Sequence, residues 1–152
     1  MSQKIVDIYT DGSCLGNPGK GGWAFIIQAE NVEISGSDIK TTNNKMEMTA
    51  IIQALRYAKK EHLNDRIVIH SDSNYTIKGI WGTNGKDAWI HNWKKKGWIT
   101  AAKKPVLNKE LWMQIDELND ELNVTWVWVK AHCGNPPNER VDHLARTAAE
   151  LV

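Results

Sequence analysis

The sequence predicts an α/β fold with helices packed on a sheet, and three observations lead there. Residues 5–13, 23–29 and 32–39 are rich in β-branched and aromatic side chains and are separated by turn residues, as in an antiparallel meander. Two further strand-like runs, 65–71 and 124–129, each follow a stretch with helical spacing of apolar residues, near 44–61 and 108–122. The chain has 152 residues, 41% of them hydrophobic and 24% charged, which suits one domain with its own core spanning residues 1–152.

Residues 5–13 open the chain as a strand that bends at Gly12, with Asp11 at its end. Asp before Gly is common turn chemistry, and an acid outside a strand end is equally well placed to hold a metal ion. Residues 13–22 read as a Gly/Pro/Asn-rich loop. They lack the Gly-Lys-Ser/Thr ending of a phosphate-binding P-loop. A turn around Glu30-Asn31 joins the next two strands. Thr41-Thr42-Asn43-Asn44 signals a helix start, and Ala50, Ile51, Ala54, Leu55 and Ala58 form an apolar stripe toward Glu61. Glu47 sits in the first turn of that stripe, either as the partner of Asn44 in a capping box or as an acid aimed at the sheet.

Residues 65–73 read as a strand covered on both faces. Asp72 either caps the helix that starts near Asn74 and runs to about Trp81, or is a second strand-end acid. Gly82 and Gly85 interrupt the chain there. The last strand carries Val and Trp on both faces, and a Gly/Pro loop holding His132 follows it. Asn138 is a candidate cap for the final helix, and Asp142 lies in its first turns, where the helix dipole favours an acid.

The net charge of +1 hides a strong asymmetry. Seven lysines against Asp87 between Lys86 and Lys109 give +6 and leave −5 for the rest of the chain. In this basic segment Lys94, Lys95, Lys96, Lys103 and Lys104 interleave with Trp89, Trp93 and Trp98, offering charges for phosphates and flat faces for sugars or bases. The alternative is a solvated charged face whose tryptophans belong to the core, and at least one of the three is expected to be structural. No apolar run is long enough to span a membrane, and the N-terminus has no signal-peptide segment. The two cysteines suit neither a disulfide framework nor a zinc site. A cytoplasmic protein is the natural inference.

Each acid has an ordinary explanation, but Asp11 and Asp72 end strands while Glu47 and Asp142 open helices that should pack on the same sheet. If those ends meet, four carboxylates crowd together and need a cation. Their hard oxygens favour Mg2+, with Mn2+ as a substitute, over zinc. Paired ions about 4 Å apart are a recurrent device for in-line displacement at phosphorus.

The motifs Thr10-Asp11-Gly12-Ser13-Cys14-Leu15-Gly16-Asn17-Pro18-Gly19, Thr41-Thr42-Asn43-Asn44-Lys45-Met46-Glu47, Ser71-Asp72-Ser73 and the run from Lys130 to Asp142 closely resemble those of bacterial ribonuclease HI. The resemblance runs nearly end to end, and residues of about 86–104 resemble that family's basic protrusion. It implies a ribonuclease H-like fold, a five-stranded mixed sheet flanked by helices. The implied activity is endonucleolytic hydrolysis of the RNA strand of RNA–DNA hybrids, leaving 5′-phosphate and 3′-hydroxyl ends. By motif, Asp11, Glu47, Asp72 and Asp142 would bind two metal ions, and His132 would relay protons or assist product release. Cys14, Asn17, Asn43, Asn44 and Asn74 would contact the hybrid, with Trp89, Trp93, Trp98 and the lysines of the arm along the DNA strand. No membrane or obligate protein partner is implied, and the expected state is a monomer. The chain departs from the pattern in two places: Asn74 stands where the family commonly has Gln, and residues 81–88 make a longer joint into the arm. A hybrid-binding module without turnover, or a DNA strand-transfer or junction nuclease on the same architecture, would keep parts of this set. The intact acids and the Asn43-Asn44-to-Glu47 spacing argue against them.

Overall fold

The computed structural model describes residues 4–83, 85–131 and 134–152. In chain order the elements are β1 (Ile5–Leu15), β2 (Gly19–Ile27), a 3-10 turn (Gln28–Glu30), β3 (Val32–Thr41), α1 (Asn43–Glu61), β4 (Arg66–Ser71), α2 (Asn74–Ile80), α3 (Trp89–Lys95), α4 (Lys109–Glu121), β5 (Asn123–Trp128) and α5 (Pro136–Glu150). The five strands form one mixed sheet in the order β3-β2-β1-β4-β5. The first three pair antiparallel, as the meander predicted, and β4 and β5 are parallel to β1.

Alternation along the strands divides the core between the two faces of the sheet. Val6, Ile8, Phe25, Ile27, Ile67 and Ile69 pack with Ile51, Leu55, Trp112 and Ile115 of α1 and α4 on one side. Ala24 and Ile26 meet Val141 and Ala145 of α5 on the other. Ile51 and Leu55 are fully buried, and each such side chain contributes on the order of 2 kcal/mol through removal from water.

Several local expectations change. The chain does not turn at Gly12: β1 continues to Leu15, with Asp11 opposite Ala24, Gly12 opposite Trp23 and Leu15 opposite Lys20. The loop shrinks to a turn at residues 16–18, where Gly16 has a φ of +90°, while Gly12 and Gly22 are strand residues that admit helices. A Cβ on Gly22 would lie 2.2 Å from the Ala145 carbonyl oxygen of α5, and one on Gly12 would lie 2.3 Å from the Glu47 nitrogen of α1. On its other edge β1 does end near Asp11, because the parallel ladder with β4 stops at Thr10 opposite Ser71. Asp11 and Asp72 therefore follow one another's strands at adjacent positions. The capping box is absent as well. Thr42 caps α1, its hydroxyl accepting from the Lys45 N–H at 3.3 Å, so Glu47 is free of capping duty.

Ser73, not Asp72, caps α2 by accepting from the Thr76 N–H at 3.2 Å. Asn135 rather than Asn138 caps α5, because Pro136 and Pro137 fill the first two helical positions, where missing N–H groups cost nothing. β4 alternates instead of being covered on both faces: Ile67 and Ile69 are buried, while His70 on the reverse side bonds Asp7 at 2.9 Å and stacks on Tyr9. β5 is an edge strand with Trp128 half exposed, not a covered central one.

The contact at Gly12 gives the first prediction. Gly12→Ala should destabilise the protein by about 1–3 kcal/mol in urea unfolding, because the methyl meets helix backbone that has no rotamer with which to yield. A change near zero would mean that α1 can slide away from β1 at no cost.

Candidate metal centre

Asp11, Glu47 and Asp72 converge at the upper end of the sheet. Each offers a carboxylate oxygen, and these oxygens lie within 4.8 Å of one another. Asp11 and Glu47 are buried, at 4% and 5% exposure, so the group is not a solvated acidic face. The Gly12 N–H is shared between them: it donates to Asp11 Oδ1 at 2.9 Å and to Glu47 Oε1. Asp142 on α5 joins the same cleft of about 430 Å³, whose rim also includes Asn43, Asn44, Asn74 and Arg146. The carboxylate of Asp142 is engaged by Arg146, whose Nε donates to Oδ2 at 3.0 Å.

Burial pushes the Asp11 carboxyl up to about 8; hydrogen bonds from Glu47 and Gly12 oppose that shift, and the charges of Asp72 and Asp142 add to it. Glu47 is driven well above the ordinary carboxylate range, first by burial and then by Asp11 and Asp72. Asp11 and Glu47, held this close without a cation, resist ionisation, and the donors of the group are all hard carboxylate oxygens. That donor set fits a divalent ion of the magnesium or manganese type.

The other residues singled out in the sequence fall into three groups. Asn43 and Asn44 are the first two residues of α1, and Asn74 is the first of α2, so all three face the cleft from helix N-termini. Asn17 accepts from the Asn43 N–H through Oδ1 at 3.2 Å, which ties the β1–β2 hairpin to α1. Cys14 lies between the Thr41 and Gly19 carbonyls, with Sγ 3.4 and 3.6 Å away. In the basic segment the tryptophans form a packed chain. Trp93 contacts Trp89, Trp98 and the fully buried Trp112 at ring separations of 6.0, 6.3 and 5.5 Å. Trp93 and Trp98 are half-buried against the core, as structural tryptophans would be, and Trp89 is 38% exposed. Lys94 pairs with Asp116 of α4 at 3.1 Å, whereas Lys95, Lys96, Lys103 and Lys104 are exposed. His132 lies outside the described residues.

Sequence reasoning missed Arg146 and Tyr75. Arg146 was findable as the residue one helical turn beyond Asp142, an ordinary acid–base pair spacing. Tyr75, which lines the cleft and accepts from the Trp112 Nε1–H at 3.2 Å, had no sequence signal beyond its place after Asn74.

The raised carboxyls give a stability prediction with a definite sign. Between pH 4 and about 8 the folded protein holds a proton on Asp11 that the unfolded chain has lost, so metal-free stability should fall as pH rises through that window. Asp11→Asn should reduce that slope, Glu47 supplying what remains, and stabilise the metal-free protein at pH 8 by on the order of 1–3 kcal/mol in chemical denaturation. A variant less stable than its parent at pH 8 would contradict the crowding of charge.

The profile of the RNase H family matches residues 3–150 of this chain. Ribonuclease H of Rhizobium meliloti (strain 1021) is 47% identical over 149 residues, which cover 97% of this chain and 92% of that protein. Ribonuclease HI of Pseudomonas putida (strain KT2440 and its equivalents) is 46% identical over 149 residues, with 97% and 95% covered. Among solved structures, LC9-RNase H1, a type 1 RNase H with the type 2 active-site motif, superposes with a TM-score of 0.81 at 29% identity, covering 99% of this chain and 74% of that one. LC11-RNase H1 in complex with RNA/DNA hybrid shares the fold, with a TM-score of 0.68 at 24% identity and 96% and 97% covered. With its mixed five-stranded sheet, its converging acids and these relatives, the chain belongs to the RNase H family, a family of metal-dependent nucleases.

Proposed function

We propose that this protein is an endoribonuclease that hydrolyses the RNA strand of RNA–DNA hybrids and leaves 5′-phosphate and 3′-hydroxyl ends. The observation that carries the reading is the meeting of buried Asp11 and Glu47 with the half-buried Asp72 in a chain of the RNase H family. Residues 1–152 would form one catalytic domain acting as a monomer in the cytoplasm; no helix among the described residues is long and apolar enough to cross a membrane.

Asp11, Glu47, Asp72 and Asp142 would hold two divalent ions, Mg2+ first and Mn2+ in its place. Bound there, such ions supply an activated water and charge stabilisation for the leaving 3′ oxygen. The chain's own part is to hold the acids and the hybrid in fixed relation. Gly12 has no side chain, so α1 comes close enough to set Glu47 beside Asp11. Asn43, Asn44 and Glu47 present hydrogen-bonding groups at the cleft, where a 2′-hydroxyl would distinguish RNA from DNA. Asn17 and Cys14 would support that edge, and Asn74, which lines the cleft from the N-terminus of α2, would contact a phosphate with a side chain one methylene shorter than glutamine. Trp89 would lie against a DNA sugar. Lys94, Lys95, Lys96, Lys103 and Lys104 would contact phosphates without regard to sequence. Trp93 and Trp98 act mainly by fixing α3 on the core. His132 would move a proton or help the product leave, as imidazole can near neutral pH.

The decisive assay uses labelled RNA–DNA hybrid, RNA–RNA duplex and junction DNA with and without Mg2+. Metal-dependent cleavage of RNA in the hybrid alone is expected, and Asp11→Asn should lower the rate at least about a thousandfold. Cleavage of junction DNA with no action on hybrid would favour a different nuclease, and tight hybrid binding without turnover in either metal would favour a binding module.

The arm has its own test. Lys95→Ala with Lys96→Ala should weaken hybrid binding at every sequence and reduce the slope of log K against log salt by about 1–2. An unchanged slope would make these lysines a solvated face.

A further inference from the structure

Asp142 differs from the other three acids in its surroundings. Asp11, Glu47 and Asp72 converge on one another, and the first two accept from the Gly12 N–H, whereas Asp142 is held by a cation supplied by its own helix. Arg146 lies four residues on, lines the same cleft, and bonds Asp142 Oδ2 through Nε at 3.0 Å. Asp-to-Arg at this spacing is a favourable helical pair, and a guanidinium stays charged at any working pH, so titration does not relieve the contact. The pair is open to solvent: the arginine side chain is 52% exposed and the aspartate 22%. Its contact uses one carboxylate oxygen, and the second oxygen of Asp142 can still face an ion. An ion approaching it meets a fixed positive charge on the same carboxylate.

We propose that Arg146 is a positioning residue that tunes divalent-ion affinity by acting as the resident counter-cation of Asp142, which an incoming metal must displace or share. This rests on the metal-site reading given above. Arg146 acts through Asp142 and lowers the affinity of the centre for free metal. In the protein without metal it spares the cleft a fourth unpaired carboxylate.

The test is a titration with Mn2+, following the electron paramagnetic resonance signal of the free ion, on the parent and on Arg146→Gln, Arg146→Lys and Arg140→Gln. Arg140 is on the same helix and pairs with Glu33 by two bonds of 2.8 Å, so its variant controls for a general loss of one positive charge. Arg146→Gln should bind Mn2+ about two- to fivefold more tightly, the range of an exposed ion pair, with Arg146→Lys and Arg140→Gln close to the parent. An Arg146→Gln isotherm that coincides with the parent or with Arg140→Gln overturns the proposal. A second measurement needs no variant: in the parent, the Arg146 Nε–H resonance should shift on saturation with Mg2+, and an unmoved resonance overturns the proposal. A parent that neither binds Mn2+ nor cleaves hybrid overturns the metal-site reading and this proposal with it. A parent that does both while Arg146→Gln is unchanged overturns this proposal alone.

Discussion

The close approach of α1 to β1 at Gly12 is the constraint on which the rest of the site depends. Helix backbone normally stays a side chain's width from a strand, and here it comes within 2.3 Å of where a Cβ would stand. That approach lets Glu47, in the second turn of α1, reach the amide of Gly12 beside Asp11. A similar contact on the reverse face, Gly22 against α5, lets the helix bearing Asp142 lie on the sheet. Two glycines on adjacent strands thus set the heights of two helices, and those heights bring acids from separate segments to one point.

The consequence is a site in electrostatic conflict with the fold. The carboxyl of Asp11 is lifted to about 8 and that of Glu47 well beyond its usual range, so the protein holds these groups where water would have favoured their charge. Such conflict is tolerated when a core elsewhere is large enough, and the α1–α4 side, with Trp112, Phe25 and a dense set of isoleucines, is that core. A bound cation removes the conflict. The site is therefore built for a ligand more than for the stability of the bare chain.

The basic arm combines two jobs that its composition alone confounds. Its tryptophans build inward, ring on ring, until Trp93 touches Trp112, and Gly79 is required because a Cβ there would lie 2.0 Å from the Trp112 ring. Its lysines point outward, except that Lys94 also ties α3 to α4 through Asp116. A rigid aromatic base carrying exposed cations is suited to a long, uniformly charged partner.

The sequence by itself determined the order of the five strands and of every helix but α3, the meander and the four acids as candidates, because periodicity and motif spacing are local properties. It read a bend at Gly12 and a loop over residues 13–22, of which only the turn around Gly16 holds, since lack of a side chain looks the same in a turn and in a strand pressed by a helix. It could not tell a cap from a ligand at Glu47 or Asp72. Thr42 and Ser73 take the capping roles, and only coordinates assign a hydrogen bond between competing neighbours. The pairing of β4 with β1, which sets Asp72 beside Asp11, and the grip of Arg146 on Asp142 also came from tertiary structure. Which acids meet depends on the register between strands and the height of helices above them, and both are set by packing between segments far apart in the chain.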